Sequence, residues 1–293
     1  GQSAIIKFRW GAEPRELLYD EAVPFIKFAL GENVKQSNWG DGYRSRFPQT
    51  RMGVEQVYYD HFIRAREYGQ SQLEYRAKLR NTKRRDIREG RGPVAPRVDL
   101  ELETLLQILN EERFVTCHSY RQDEINMLMH VADSLGFRLN TFTHILEGYK
   151  VADKMAEHGA GGSSFSDWWA YKYEVKDAIP YNGAVLHNQG VITAFNSDDA
   201  EMARRLNQEA AKAYKYGRVP EVEALKFVTL NPAKLLHIDH KTGSLKSGKD
   251  ADVVVWSDHP LSINAKAEQT FVEGVRCFDV DRDLELREAM RRE

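Results

Sequence analysis

The sequence has only two cysteines in 293 residues, Cys117 and Cys277, far apart and outside any metal-ligand spacing. They read as buried free thiols rather than a disulfide, and they fix no redox compartment. Net charge is nearly absent: 42 Lys and Arg oppose 44 Asp and Glu, for a formal −2. This removes the global electrostatic case for nucleic acid or an anionic membrane as partner. No apolar run approaches the roughly 20 residues of a membrane-spanning helix. There is no internal repeat and no low-complexity tract. The chain begins at Gly1 without an initiator Met, and no signal peptide is visible, which leaves the compartment open.

What is present suits a soluble globular chain. Apolar residues make up 42% and charged residues 29%, enough for one large core or two ordinary ones. Residues 25–30 form an apolar run closed by Gly31 and read as a buried strand. Residues 53–80 read as a long helix, followed by a basic stretch over 76–91 that suits a solvated helix end and loop. Residues 100–110 carry Leu102, Leu105, Leu106 and Leu109 at helical spacing. The pattern then becomes regular. Strands are expected at 114–117, 139–143 and 191–195, and a tight turn at 161–164. Helices are expected at 123–135, 149–158, 179–188, 201–216 and 220–229. Short strands alternating with helices predict a parallel sheet, and this many units favours closure into a barrel. From about residue 236 the texture changes to strand-like runs, 253–256 and 270–272, joined by turns. The tail is either a charged helix or disordered.

Three strand ends carry side chains that bind metals: His118, His144 and Asp198. In a barrel such ends converge on one mouth. Two imidazoles and a carboxylate suit zinc or a similar ion, which activates water and polarises a carbonyl. A nearby carboxylate can take the proton. Taken singly, each His also suits a structural role, and Asp198 suits a helix N-cap. Lys27 is a fourth candidate. It lies within an apolar strand, where an uncompensated ammonium is costly, unless it reaches the rim or pairs with Glu32.

In this order the residues resemble the amidohydrolase superfamily, in particular its imidazolonepropionase-like and Xaa-Pro dipeptidase-like metal-dependent hydrolases. The resemblance is carried by the Ile26-Lys27 strand, the strands ending at His118 and His144, and Asn196-Ser197-Asp198. Thr229-Leu230-Asn231-Pro232-Ala233 and the run from Gly243 to Val255, with Gly248-Lys249-Asp250-Ala251-Asp252, are its most specific parts. The resemblance implies Lys27 as a carboxylated lysine, His118 and His144 as ligands, and Asp198 as both ligand and general base. One or two divalent ions, zinc by preference, follow from that set. The family also draws ligands from a His-x-His on its first strand, and this chain has none. One account is that the chain enters the family pattern near the third or fourth strand; the other is a degenerate, non-catalytic relative serving in binding or structure.

The resulting expectation is an α/β fold: a (β/α)8 TIM-type barrel, incomplete at the N-terminus, over residues 1–235. A small composite β-sandwich segment follows over 236–280, then a tail over 281–293. Its substrate would be a small molecule or short peptide with an amide, peptide or cyclic amide bond. Tyr120, Tyr149, Arg44 and Arg46 lie on loops suited to substrate contact; an Arg can grip a carboxylate with two hydrogen bonds. Trp168 and Trp169 could line the same pocket, and a homo-oligomer is compatible with the chain.

Overall fold

The computed structural model describes residues 1–36, 40, 46–166, 168 and 170–292. Arg44 and Trp169 lie outside the described residues. The main sheet has six strands in chain order: β1 (Gln2–Ser3), β2 (Phe25–Ala29), β3 (Phe114–His118), β4 (Thr141–Thr143), β5 (Gly161–Ser164) and β6 (Thr193–Phe195). β1 is antiparallel to β2, and β2 through β6 are all parallel. The expected mixed α/β fold with a parallel sheet is therefore present.

The connections are helical, as parallel neighbours require. α1 (Glu32–Lys35), α2 (Arg51–Asn81), α3 (Arg84–Arg88) and α4 (Leu100–Leu109) lie between β2 and β3. α5 (Gln122–Leu135) precedes β4, α6 (Ala152–His158) precedes β5, and α7 (Asn182–Asn188) precedes β6. α8 (Ala200–Ala203), α9 (Leu206–Lys215), α10 (Glu221–Lys226) and α11 (Leu230–Leu235) follow. The basic stretch around α3 is exposed and laced with ion pairs such as Arg85–Glu89. No described helix is long and apolar enough to cross a membrane.

The core lies between the sheet and α2 and α5. Val115, Cys117 and Phe142 pack with Ile125, Leu128, Met129 and Ala132 of α5, all buried. Phe62 of α2 stacks on Phe137 with ring centroids 4.2 Å apart. Each such side chain contributes about 1.5–3 kcal/mol of burial, so the core fixes the strands whose ends carry the expected donors.

Residues 161–164 are not a tight turn. They form β5, wholly buried between β4 and β6. The reason is close approach. A Cβ on Gly161 would lie 2.2 Å from Leu235 Cδ2 of α11, with backbone oxygens of Ile192 and Asn140 at 3.3 and 3.4 Å. Glycine here admits neighbouring elements, which outweighs its poor strand propensity.

The C-terminal sheet runs β7 (Val253–Trp256), β8 (Ala267–Val272) and β9 (Val275–Asp279), antiparallel throughout. The tail is helical, α12 (Val280–Arg292). An ionic cluster ties this sheet to the start of the chain, where Ile6 bridges Leu18. Lys7, almost fully buried, pairs with Asp250, with Asp252 at 3.4 Å and with Glu273 at 3.2 Å. Arg9 binds Glu273 at 2.7 Å and, foremost among its partners, holds that carboxyl down at about 2. Asp252 also accepts from Thr242 Oγ1 and from the Glu273 amide. The acids in Lys249-Asp250-Ala251-Asp252 thus serve as a joint between the two chain ends.

Candidate active site

Register brings the expected donors to one end of the sheet. Ala29 pairs with His118, and His118 pairs with Thr143, one residue before His144. Strand alternation alone would turn His144 away from His118. The chain escapes this at His144 itself, which adopts a left-handed φ of 61°. Such a conformation costs a non-glycine residue about 1 kcal/mol. It is held by flanking bonds, Ser119 N to Thr143 O and Ile145 N to Ser163 O, each 3.2 Å. The two imidazoles then stand with ring centroids 5.5 Å apart. Two rings sharing one tetrahedral ion at about 2.1 Å per nitrogen would have centroids about 5 Å apart.

Both rings are buried, which favours the neutral imidazole over the charged one. Burial, then the His144 and Lys27 charges, brings the His118 pKa down to about 4. Burial also lowers that of His144, with Asp198 opposing and Lys27 assisting. Each ring is held by a carboxamide. Asn33 Nδ2 lies 3.0 Å from His118 Nε2, and Asn196 Nδ2 lies 2.8 Å from His144 Nδ1. Ser163 Oγ in turn donates to Asn196 Oδ1 at 2.6 Å. Beside the rings in the chain, Ser119 Oγ and Thr143 Oγ1 are buried without a hydrogen-bond partner among the described residues. Buried hydroxyls are rarely left so, and they mark a place suited to water or ligand oxygen.

Lys27 and Asp198 are within electrostatic reach of this pair but not in contact with it. The burial expected for Lys27 is not observed: its side chain is exposed on β2. β2 is flanked by β1 and β3, yet the Lys27 side chain remains in contact with solvent. Asp198 is exposed as well, and it does not cap the next helix. Asp199 does, accepting from Glu201 N and Met202 N at 2.9 Å. Among the described residues, no three His, Cys, Asp or Glu side chains gather as a metal-binding group. The assembled part is the imidazole pair.

The expected substrate residues divide. Tyr120 is buried edge-on against His118 at 4.6 Å. It accepts a hydrogen bond from the Tyr171 hydroxyl at 3.2 Å and carries Lys172 Nζ 4.6 Å above its ring. Burial foremost, then that bond, pushes its phenol pKa far up. Trp168 packs on Phe165, which stacks on His144. Tyr149 instead donates to the Asp177 carbonyl at 2.9 Å, and Arg46 to the Val34 carbonyl at 3.0 Å. Neither contacts the imidazole pair. His187 sits on α7 with its ring against Phe227, as a structural residue would.

Sequence reasoning missed the two asparagines and a buried acidic pair. Glu124 of α5 and Glu174 face each other across Gly31, where a Cβ would lie 3.3 Å from Glu124 Oε2 and 2.4 Å from Glu174 Oε1. Arg51 Nε lies 2.6 Å from Glu124, and Lys172 Nζ lies 3.0 Å from Glu174. Burial foremost, with the Glu174 charge, raises the Glu124 pKa to about 7 despite Arg51. The asparagines carried a faint signal: each follows an expected strand within a few residues of its end, Asn33 in α1 and Asn196 directly after β6.

Comparison with known proteins shows which family the chain resembles. Residues 117–280 match the sequence model of the amidohydrolase family. A solved amidohydrolase from Thermotoga maritima MSB8 is 31% identical with a TM-score of 0.78, covering 95% of this chain and 68% of that one. Amidohydrolase tasK of Hapsidospora irregularis is 30% identical over 265 residues, 89% of this chain. The urease alpha subunit of Yersinia pestis (strain Pestoides F) is 36% identical over 109 residues, 31% of this chain. The chain spans 26% of the length of the tasK protein and 18% of the urease subunit. On the family match and the Thermotoga likeness together, the chain belongs to the amidohydrolase family.

Proposed function

We propose that this chain supplies the larger part of the catalytic barrel of a metal-dependent hydrolase that cleaves a C–N bond in an amide, peptide or cyclic amide. Residues 1–235 would be an incomplete (β/α)8 barrel and 236–280 one part of a composite β-sandwich, with the 281–293 tail outside both. The observation that carries this reading is the pair of buried, neutral imidazoles, His118 and His144, on adjacent parallel strand ends. Neutral imidazole is the form that binds a metal. Their spacing, the orphan hydroxyls beside them and the nearby Lys27 and Asp198 fit one or two zinc ions.

Zinc held there would activate water and polarise the scissile carbonyl. The chain's own residues do the rest. His118 and His144 would hold the ion, joined by Asp198 and by Lys27 as its carbamate. Asp198, exposed beside His144, would take the proton from attacking water at a carboxylate oxygen and return it to the departing nitrogen. Tyr120, buried edge-on against His118, would wall that side of the site. Arg44, Arg46 and Tyr149 would contact the substrate's remote end, with a small molecule or short peptide as the substrate class.

The test is zinc content and amide or dipeptide turnover of the full-length protein, wild type against Asp198→Asn. Loss of about 10²–10⁴ in kcat with zinc retained is expected of a general base. Unchanged turnover removes Asp198 from the reaction. A non-catalytic barrel predicts neither zinc nor turnover in the wild type.

A further inference from the structure

Each imidazole of the pair is held through one nitrogen only, and by the same chemical group. Asn33 Nδ2 meets His118 Nε2 at 3.0 Å, and Asn196 Nδ2 meets His144 Nδ1 at 2.8 Å. The other nitrogens, His118 Nδ1 and His144 Nε2, have no hydrogen-bond partner among the described residues. An amide N–H can only donate, so the nitrogens it meets must be the unprotonated ones. The ring protons then sit on His118 Nδ1 and His144 Nε2. A nitrogen carrying a proton cannot bind a metal, so in this arrangement the free nitrogens are blocked.

A carboxamide resolves this by rotation. Its oxygen and nitrogen occupy nearly the same space, and turning end for end presents an acceptor where a donor stood. The ring proton then moves to the amide-bound nitrogen and the free nitrogen gains a lone pair. The turn exchanges partners at Asn196, whose Nδ2 gives up a long bond to the Ser197 carbonyl, 3.3 Å away. Its Oδ1 now accepts from Ser163 Oγ at 2.6 Å, and a hydroxyl can equally accept from an amide N–H. Metal-ligating histidines commonly donate their second N–H to such an oxygen, and removing that partner costs 10–100-fold in affinity.

We propose that Asn33 and Asn196 are positioning residues: they hold His118 and His144 by Nε2 and Nδ1, reserve His118 Nδ1 and His144 Nε2 for the ion, and turn end for end when it binds. This rests on the zinc reading above. Both asparagines act through the imidazoles.

The test combines two measurements on full-length protein. Long-range ¹H–¹⁵N spectra of the histidine rings, recorded metal-free, are expected to show the proton on Nδ1 of His118 and on Nε2 of His144. On zinc addition each proton should appear on the other nitrogen. Zinc affinity, by chelator competition, should fall 10–100-fold in Asn33→Ala and Asn196→Ala. It should be preserved in Asn33→Asp and Asn196→Asp, whose carboxylates accept but cannot donate. The Asp variants carry the test if the Ala variants fail to fold, because they should show the zinc-type tautomers before zinc is added. Wild-type tautomers and affinity in all four variants would overturn the proposal. A wild type that binds no zinc overturns the hydrolase reading instead, while the metal-free spectra still decide whether the amides set the tautomers.

Discussion

The inner strand ends, β3 and β4, and the flanking ones, β2 and β6, treat their polar side chains in opposite ways. His118 and His144 are buried, neutral and amide-held, whereas Lys27 and Asp198 stand in water beside them. Cost explains the split. A neutral imidazole can be buried if it is hydrogen-bonded, while an unpaired charge cannot be buried without losing several kcal/mol. The fold therefore fixes the uncharged donors in advance and leaves the charged ones where solvent stabilises them.

The comparison is sharpest in stability. Phe142 of β4 is fully buried in the core. Phe142→Ala is expected to lower unfolding free energy by about 3–5 kcal/mol through lost burial and a residual cavity. Lys27→Ala, on the exposed flank, is expected to change it by no more than about 0.5 kcal/mol. Urea unfolding of both variants measures the difference. A large loss for Lys27→Ala would mean that its side chain is held in the fold, and the contrast would fail.

pH separates the inner groups from one another. The folded His118 pKa is about 4 against an unfolded value near 6.5, so the unfolded chain binds more protons between those values. Stability from this group is complete above about 6.5 and is lost as pH falls toward 4. Glu124 works in reverse. Its folded value of about 7 exceeds the unfolded value near 4.5, so the folded protein binds more protons and stability falls as pH rises through that window. Each effect is about 3 kcal/mol and they oppose, with buried His144 adding to the His118 side, so metal-free wild type should gain stability only gently from pH 5 to 6.5. Glu124→Gln removes one side. Its stability should climb with pH across that range, read as thermal midpoints in a pH series. A parallel, equally shallow profile would remove Glu124 from the balance.

Much of this division was legible in the residues. Helix spans followed from periodicity, and Gly136 ends α5 in the left-handed conformation that a stop signal implies. The strands ending at His118 and His144 were readable as apolar runs. β5 was not, because Gly161-Gly162-Ser163-Ser164 has the composition of a turn and is a strand only through what packs on it. The exposure of Lys27 was also hidden, since an apolar strand does not say which face meets solvent. The partners of the imidazoles depend on contacts 85 and 52 residues apart in sequence, which no local pattern encodes. Nor does strand alternation predict the left-handed turn at His144 that brings the rings together.

The smallest predicted effect concerns two neighbours that the sequence cannot tell apart. Asp198 and Asp199 are both exposed acids after β6, and either suits a helix cap. Asp199 takes the cap, satisfying two amides at the start of α8 that would otherwise lack partners. Asp199→Ala should therefore cost about 1 kcal/mol in unfolding free energy. Asp198→Asn keeps its shape and removes no hydrogen bond or ion pair among the described residues, so its unfolding free energy should match wild type within about 0.5 kcal/mol. The two variants should also separate in function, with Asp198→Asn losing turnover at unchanged stability and Asp199→Ala the reverse. If both lose stability alike, α8 draws on both acids for its cap, and Asp198 is no longer free for proton transfer.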